Sequence, residues 1–188
     1  MNLKEFYESG TYKSDKGTTH DYISAYYNNE FTSKRFESIS ILEIGIHAGL
    51  SLKLWKDWFE NANIYAIDPC EEVNILQEIF DEVNQRENIK IIKDDAYSES
   101  VLNIFDNGSF DYIIDDGPHT LNSQIYSIKH WLKKVKSGGK LIIEDIQSIT
   151  DLNQLVLEAN DTGMKWDVYD IRNNKGRYDD IILEITVN

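Results

Sequence analysis

Residues 39–68 read ISILEIGIHAGLSLKLWKDWFENANIYAID. The stretch opens with an isoleucine-rich run over residues 39–46, which predicts a short strand buried in a parallel sheet. A turn with Gly45 and Gly49 follows, and then an amphipathic helical pattern that a polar Asn-Ala-Asn segment ends. A second strand closes at Asp68. This unit consists of a strand, a glycine turn, a helix and a second strand that ends in an acid. It predicts a nucleoside cofactor at the carboxyl ends of the strands.

The spacing of the glycines separates two kinds of cofactor. A dinucleotide site has the pattern G-x-G-x-x-G, in which the glycines let a pyrophosphate approach the backbone and the helix N-terminus. Counted from Gly45, the other two glycine positions hold His47 and Leu50. The sequence therefore departs from the dinucleotide pattern at two of three positions.

The pattern that fits is acid-x-G-x-x-x-G, with Glu43, Gly45 and Gly49. It resembles the first motif of the class I S-adenosylmethionine-dependent methyltransferases. The resemblance implies that Asp68 holds the ribose hydroxyls of that cofactor, and that His47 belongs to the cofactor site although many class I enzymes have glycine there. On the motif alone, any doubly wound α/β protein with a glycine in its first turn remains an alternative.

The composition of the 188 residues predicts one domain that binds a small molecule. A formal net charge of −14 opposes nucleic-acid binding, which needs a basic surface. We find no apolar run long enough to span a bilayer and no signal-peptide pattern in the first ten residues, so we expect a cytoplasmic protein with no membrane contact. Cys70 is the only cysteine, which excludes an internal disulfide.

Strand patterns alternate with helical patterns along the chain and predict a Rossmann-like, doubly wound sheet, mostly parallel, with seven strands and a C-terminal antiparallel hairpin. This is the class I methyltransferase fold. Helical patterns are expected from Val73 to Val83 and from Leu121 to Val135, the latter ended by the glycines of residues 137–139. The strands are predicted at residues 39–46, 64–67, 89–92, 110–114, 141–143, 166–171 and 181–187.

Three of these predicted strands end in pairs of acidic residues, at positions 94–95, 115–116 and 144–145. Strand ends of a parallel sheet share the edge where ligands bind, and carboxylates crowded there repel one another. Asp116, Glu144 and Asp145 offer oxygen ligands that suit Mg²⁺ or Mn²⁺. The alternative is that the acids cap helices or lie in water.

His119 lies three residues after Asp116, at the start of the fourth predicted helix. Histidine is the side chain that most readily exchanges a proton at neutral pH, so His119 is a candidate base for a hydroxyl group. Lone histidines are more often surface or capping residues. The neighbouring acids favour the catalytic interpretation.

Residues 111–146, DYIIDDGPHTLNSQIYSIKHWLKKVKSGGKLIIEDI, resemble the metal-dependent O-methyltransferases that act on sugars of macrolide antibiotics, and their relatives named cephalosporin hydroxylases. The resemblance implies that Asp116 binds the metal and takes part in catalysis, that His119 is catalytic, and that Glu144 and Asp145 complete the ligands. Pro118 replaces the serine usual in that family. This chain is also shorter than the macrolide enzymes, which leaves the acceptor open.

Residues 14–22, SDKGTTHDY, resemble the leader of the same family, which packs near the cofactor. The resemblance places Lys16, Gly17 and Thr18 in the cofactor site. We therefore interpret residues 1–38 as an arm that covers the cofactor, and residues 39–188 as the cofactor-binding domain. A solvated leader is the alternative interpretation of the arm.

Family position also assigns Asp95 and Ala96 to the adenine, and we place Asp115 in the same cofactor-binding set. Together these features predict an O-methyltransferase that moves a methyl group from S-adenosylmethionine to a hydroxyl of a small molecule, expected to be a sugar or a glycosylated metabolite. The tyrosine-rich arm predicts a homo-oligomer. The alternatives are an NAD-linked oxidoreductase and a non-catalytic S-adenosylmethionine-binding protein.

Overall fold

The seven-stranded sheet predicted from the sequence is confirmed. The computed structural model describes residues 1–10, 12–71, 75–83, 85 and 87–188. The strand order is β3-β2-β1-β4-β5-β7-β6. Strands β1 to β5 pair in parallel, while β7 runs antiparallel to both β5 and β6. The strands are β1 (Ser40–Ile44), β2 (Asn63–Ile67), β3 (Ile89–Ile92), β4 (Phe110–Asp115), β5 (Val135–Ile143), β6 (Lys165–Asp170) and β7 (Ile181–Thr186).

Helices cover both faces of the sheet, as the alternation of strand and helix patterns requires. None of the helices in the described ranges has the length and apolar character needed to cross a membrane. A π-helical turn at Ile23–Tyr27 leads into the third helix, and 3₁₀ turns lie at Thr32–Lys34 and Trp131–Lys134. The α-helices are α1 (Leu3–Ser9), α2 (Asp15–Thr18), α3 (Asn28–Phe31), α4 (Leu50–Trp58), α5 (Gln77–Val83), α6 (Glu99–Leu102), α7 (Leu121–His130), α8 (Ile149–Asp161) and α9 (Arg172–Lys175).

The described part of residues 1–38 contributes to one of the two hydrophobic cores. Tyr27 and Phe31 are fully buried and pack edge-on against Trp55 of α4. The Trp58 indole donates a hydrogen bond to the Phe31 carbonyl at 3.1 Å. Aromatic pairs of this kind add to the free energy of burial. The segment therefore packs on the sheet as part of the fold, and the second core lies on the opposite face around Trp131.

One predicted helix boundary is wrong. Helix α7 ends at His130, and Ser137, Gly138 and Gly139 lie inside β5 instead of ending the helix. The pairing of β4 with β5 shifts register between Phe110 and Tyr112 at this point. Gly138 has a φ of +79°, so the two glycines form an irregularity in the strand and not a helix cap. The Val73 end of the other predicted helix lies outside the described residues.

Gly45 is the position where the backbone of β1 must approach the backbone after β4. Its φ is +78°, and a Cβ atom there would lie 2.0 Å from the Asp116 carbonyl oxygen. Gly163 has a similar φ of +69°, but a Cβ atom there would meet nothing within 4 Å. Alanine substitutions at Gly45 and Gly163 therefore distinguish the free-energy cost of a left-handed backbone from the cost of a steric clash.

We expect Gly163→Ala to lower the free energy of unfolding by about 1–2 kcal/mol, the cost of a left-handed conformation for an L-residue. Gly45→Ala should lower it by clearly more, because the edge that carries Asp116 must also move. Chemical denaturation of both variants measures the difference. Equal losses would show that the close approach at Gly45 carries no extra cost.

Candidate active site

The carboxyl ends of the central strands hold backbone conformations that non-glycine residues seldom adopt. Among the described residues, the non-glycine residues with positive φ are His47 (+47°), Cys70 (+56°), His119 (+54°) and Asp145 (+54°). They follow β1, β2, β4 and β5 respectively. Such conformations cost free energy and concentrate at functional sites. His47 thus takes the left-handed conformation usual for glycine at the position where the sequence departs from the class I motif.

Asp68 at the end of β2 fixes the glycine turn after β1. Its Oδ2 accepts hydrogen bonds from the backbone N–H groups of Ile46 at 2.9 Å and His47 at 3.1 Å. Its Oδ1 accepts from the N–H of Cys70 at 2.6 Å. The side chain remains half-buried at the edge of the sheet. Asp68 therefore holds the turn in place, and its contact with a ribose stays a prediction.

Glu43 is the motif acid of β1, and it is fully buried. The Ser51 hydroxyl donates a hydrogen bond to Oε2 at 3.0 Å. Burial raises the pKa of Glu43 to about 7, and the nearby Lys16 ammonium only partly offsets that effect. Glu43 is consequently an internal acid, and its assignment to the cofactor site stays a prediction.

The side chain of Lys16, from α2 in the arm, enters the acid cluster and is 1% exposed. Its Nζ lies 2.6 Å from Asp116 Oδ2 and 3.4 Å from Glu43 Oε1, and it donates a hydrogen bond to Glu144 Oε2. Burial opposes the charge on the ammonium, but the three carboxylates outweigh it and hold the pKa of Lys16 well above its usual value. Lys16 is therefore a cation inside the cluster.

Glu144, predicted as a metal ligand, has both carboxylate oxygens engaged by the arm. Lys16 binds Oε2, and the Tyr27 hydroxyl donates to Oε1. Gln124 of α7 donates to the Glu144 carbonyl at 2.9 Å. Complete burial raises the pKa of Glu144 well above its usual range. Its role as a ligand stays a prediction, and in this arrangement its carboxylate is the partner of Lys16 and Tyr27.

Asp116 and Asp145 each keep one oxygen turned toward His119. Asp116 Oδ1 lies 3.9 Å from His119 Nε2, and Asp145 Oδ2 lies 3.6 Å from it. The other oxygens are taken, Asp116 Oδ2 by Lys16 and Asp145 Oδ1 by the hydroxyl of Tyr22. Burial raises the pKa of Asp116 to about 6, with Lys16 opposing and Asp145 adding to the shift. Ligand atoms of these three residues lie within 4.8 Å of one another.

A second layer of contacts holds the arm against this edge. His20 Nδ1 lies 2.5 Å from Asp180 Oδ1, and the imidazole stacks on the Tyr22 ring at 4.8 Å. From α9, the Lys175 ammonium donates to the carbonyls of Gly17, Thr18 and His20 at 2.6, 3.0 and 2.9 Å. The segment that delivers Lys16 and Tyr22 is thus fastened by the connection between β6 and β7.

The residues assigned to the cofactor fall into two groups. Gly17 packs on the ring of Tyr7, where a Cβ atom would lie 2.4 Å from the ring, and Thr18 is exposed. On the other side of the edge, Asp95 Oδ1 accepts from the N–H of Tyr97 at 2.9 Å, so this exposed acid shapes its own loop. The assignments of both groups to the cofactor stay predictions.

Tyr97 connects the adenine side to Asp115. Its hydroxyl donates to Asp115 Oδ1 at 2.6 Å. Burial raises the pKa of Asp115, and the bonds from neighbouring donors oppose the shift. The buried Ala96 carbonyl accepts from the Trp131 indole at 3.0 Å. Asp115 and Ala96 therefore have structural partners in addition to their predicted contact with the cofactor.

The structure brings Asp116, His119 and Asp145 together as predicted and shows which residues the sequence interpretation missed. Tyr22 and Tyr27 donate to Asp145 and Glu144 across more than a hundred residues of sequence. The density of tyrosine in the arm was the available signal. It marked the segment as unusual but did not identify the partners.

The fold is that of the class I methyltransferases, and comparison with known proteins gives the family. A family model described as a methyltransferase domain matches residues 42–146, more than half of the chain. The chain therefore belongs to this methyltransferase family. The matched residues include the glycine turn, Asp68 and the acids of β4 and β5.

Curated relatives match most of this chain but a smaller part of their own length. Demethylmacrocin O-methyltransferase from Streptomyces fradiae is 30% identical over 140 residues, 69% of this chain and 33% of that protein. The 8-demethyl-8-(2-methoxy-alpha-L-rhamnosyl)-tetracenomycin-C 3'-O-methyltransferase from Streptomyces olivaceus is 27% identical over 141 residues, 71% of this chain and 34% of that protein. The chain thus spans about a third of the length of these relatives.

Solved structures share the fold. The MycE methyltransferase of the mycinamycin biosynthetic pathway, in complex with Mg, SAH and mycinamycin VI, superposes with a TM-score of 0.71. It is 18% identical, and the match covers 100% of this chain and 54% of MycE. A fibrillarin pre-rRNA processing protein from Methanococcus jannaschii has a TM-score of 0.63 at 23% identity, over 82% of this chain and 68% of that protein. The class I methyltransferase fold predicted from the sequence is confirmed.

The pKa of Glu43 gives a prediction for stability against pH. The folded state holds the Glu43 proton more tightly than the unfolded chain, so ionisation opposes folding as pH rises from about 4.5 to about 7. Glu43→Gln removes this effect. Relative to wild type, we expect the variant to gain about 1–3 kcal/mol in unfolding free energy between pH 5 and pH 8, at about 1.4 kcal/mol per pKa unit.

Denaturation in EDTA at both pH values measures the gain. Glu78→Gln removes the same formal charge from an exposed position of α5 and is the matched control. If the difference in unfolding free energy between Glu43→Gln and wild type stays constant from pH 5 to pH 8, the raised pKa of Glu43 is contradicted.

Proposed function

We propose that this protein is a metal-dependent O-methyltransferase that transfers the methyl group of S-adenosylmethionine to a hydroxyl of a small molecule. The observation that carries the proposal is the position of Asp116, His119 and Asp145, whose free oxygens and Nε2 face one another at the sheet edge. The family membership and the glycine turn support a cofactor region beside this edge. The acids alone would also fit a non-catalytic binding protein. A histidine that faces one unbonded oxygen from each of two carboxylates is suited to proton transfer.

The glycine turn and Asp68 are the proposed site of S-adenosylmethionine. MycE, whose fold matches along the whole chain, was solved with SAH and Mg. In this chain, Asp68 orders the turn through three backbone N–H groups and keeps lone pairs for the ribose hydroxyls. When bound, the cofactor supplies an electrophilic methyl group on a sulfonium. The NAD-linked alternative lacks two glycines of its phosphate-binding pattern.

The residues that remain free at the edge fit a divalent cation. Asp116 Oδ1 and Asp145 Oδ2 are carboxylate oxygens fixed from behind by Lys16 and Tyr22, which is the oxygen-only chemistry that Mg²⁺ and Mn²⁺ prefer. Glu144 is the third proposed ligand and would have to release Lys16 or Tyr27. When bound, the ion would make a hydroxyl group easier to deprotonate near neutral pH.

His119 is assigned as the base and not as a ligand. Its Nδ1 is buried and finds no hydrogen-bond partner among the described residues. Metal-bound histidines almost always donate the second N–H to a carboxylate or carbonyl, so His119 lacks the support that a ligand needs. With the proton on Nδ1, Nε2 faces the acids as an acceptor. The acceptor hydroxyl would give its proton to Nε2 while its oxygen bonds to the methyl carbon, and the carbon–sulfur bond would break to leave S-adenosylhomocysteine.

A cavity of about 430 Å³ is the proposed place of the acceptor. It lies beside the edge, because the Tyr178 hydroxyl donates to the Gln147 side chain at 3.1 Å and Gln147 in turn donates to the Asp145 carbonyl at 2.9 Å. Tyr178 is 63% exposed and offers an aromatic face to a sugar ring. The cavity is lined by Asp170, Arg172, Asn173, Gly176, Arg177 and Tyr178.

A sugar or glycosylated metabolite is the acceptor class that we propose. The tetracenomycin relative is named for a rhamnosyl compound, and MycE was solved with mycinamycin VI. A cytoplasmic location and self-association through the arm belong to the same proposal. A monomer at high concentration in light scattering would contradict self-association.

Cofactor binding tests the first half of the proposal. S-adenosylhomocysteine should bind in calorimetry, and NAD should not. Asp68→Ala should weaken S-adenosylhomocysteine binding by at least about 1 kcal/mol, because hydrogen bonds to a charged acceptor are lost. Asp57→Ala, a partly buried acid of α4 bonded to Tyr12 at 2.9 Å, is the control for a general loss of stability. Saturable NAD binding without S-adenosylhomocysteine binding would reject the proposal.

Separate variants test the division of work at the edge. Asp116→Asn and Asp145→Asn should weaken Mn²⁺ binding and methyl transfer together, because each removes a ligand charge. His119→Ala should leave Mn²⁺ and cofactor binding nearly intact and lower turnover by about 10²–10⁴-fold, the usual contribution of a positioned base. Calorimetry and single-turnover assays measure these effects. Loss of Mn²⁺ in His119→Ala would make the histidine a ligand, and full activity in EDTA would remove the metal from the mechanism.

A further inference from the structure

The ammonium of Lys16 occupies a cage of carboxylate oxygens from three neighbouring strand ends. Glu43 comes from β1, Asp116 directly follows β4, and Glu144 directly follows β5. Glu43 Oε1 lies 3.4 Å from Lys16 Nζ, and Asp116 Oδ2 lies 2.6 Å from it. The ammonium also donates a hydrogen bond to Glu144 Oε2. The cage lies in the interior, since Lys16, Glu43 and Glu144 are all at most 1% exposed.

The donor atoms of the cage match a hard divalent cation as well as they match an ammonium. The contacting atoms are all carboxylate oxygens, the ligands of Mg²⁺ and Mn²⁺. Glu43 Oε1 is buried and has no hydrogen-bond partner among the described residues, although Lys16 Nζ lies 3.4 Å away. This oxygen thus faces the cage with an ion pair to Lys16 but no hydrogen bond. A position with three acidic oxygens, one of which receives no hydrogen bond, suits a cation.

Asp116 belongs to the cage and to the outer edge at the same time. Its Oδ2 binds Lys16, while its Oδ1 faces His119 and Asp145. Two-metal centres place their ions about 3.5–4 Å apart. Asp116 similarly gives one oxygen to the Lys16 ammonium at an inner position and turns the other toward the outer edge, where the divalent ion is proposed.

We propose that the cage is a second cation site that the chain fills with its own Lys16, so that the centre accepts a single divalent ion. The proposal rests on the proposed function only for the outer ion. The inner site needs no exchangeable metal, because Lys16 supplies one positive charge. The arm holds it there through the bonds of Lys175 to the carbonyls of Gly17, Thr18 and His20.

Lys16→Met tests the proposal, because it keeps most of the side-chain length and removes the charge. We expect wild type to bind one Mn²⁺ per chain and the variant to bind two, measured by calorimetry. Electron paramagnetic resonance should show isolated Mn²⁺ in wild type and magnetically coupled Mn²⁺ in the variant. The variant should also lose thermal stability in EDTA and regain it in Mn²⁺, because the three clustered carboxylates then have a counter-ion only when metal is present.

The double variant Lys16→Met/Glu43→Gln is the matched control, because Glu43 belongs to the cage and is not a proposed ligand of the outer ion. It removes one carboxylate of the cage together with the ammonium, so we expect one Mn²⁺ per chain and little rescue by Mn²⁺. Two coupled ions in the double variant would show that the extra ion in Lys16→Met binds elsewhere, and would overturn the proposal.

The remaining outcomes distinguish a failure of the inner site from a failure of the proposed function. One Mn²⁺ in both wild type and Lys16→Met overturns the inner site and leaves the proposed metal dependence intact. No Mn²⁺ in wild type and one in Lys16→Met supports the inner site and rejects the proposed metal dependence. If Lys16→Met stays unfolded with Mn²⁺ while the double variant folds, the cage does not accept a metal and the proposal fails.

Discussion

The ion pairs between Lys16 and the buried carboxylates are the interaction on which the rest of the structure depends. Glu43, Asp116 and Glu144 lie at the ends of adjacent strands because the topology gathers these ends at one edge. Removing one partner of a buried ion pair typically costs about 3–5 kcal/mol, since a charge is left without compensation. The arm that carries Lys16 is therefore required for the stability of the edge as well as for one of the two hydrophobic cores.

The same interaction decides which carboxylate oxygens are available for chemistry. Donors from the arm engage both oxygens of Glu144 but only one oxygen each of Asp116 and Asp145. The free oxygens face His119. Burial, which raises the pKa of Asp116 and Glu144, and the ammonium, which lowers it, act on the same groups in opposite directions. The site thus combines a neutralised interior with a charged outer edge.

The sequence predicted the sheet well because each central strand is an isoleucine-rich run between clear helical patterns. Strand β3 lies where the pattern placed it, at Ile89–Ile92, while β5 begins six residues before its predicted start at Leu141. Topology also predicted that Asp116 and Asp145 would meet. The pairing of Lys16 with Glu144 could not be predicted from the sequence, because 128 residues separate them and only the packing of the folded chain selects the partner. His47 could likewise be recognised as a departure from the motif, but not as a residue that keeps the left-handed backbone.

The contacts of the arm with the β6–β7 connection determine when the site is completed during synthesis. His20 pairs with Asp180, 160 residues later, and Lys175 binds the carbonyl of Gly17, 158 residues earlier. At roughly 5–20 residues per second, a ribosome makes the second partner roughly 10–30 s after the first. For the first part of that interval the nascent chain carries Lys16, Tyr22 and Tyr27 without the acids that follow β4 and β5. Lys16 therefore cannot pair with Glu144 until the chain has been synthesised past β5, 128 residues later.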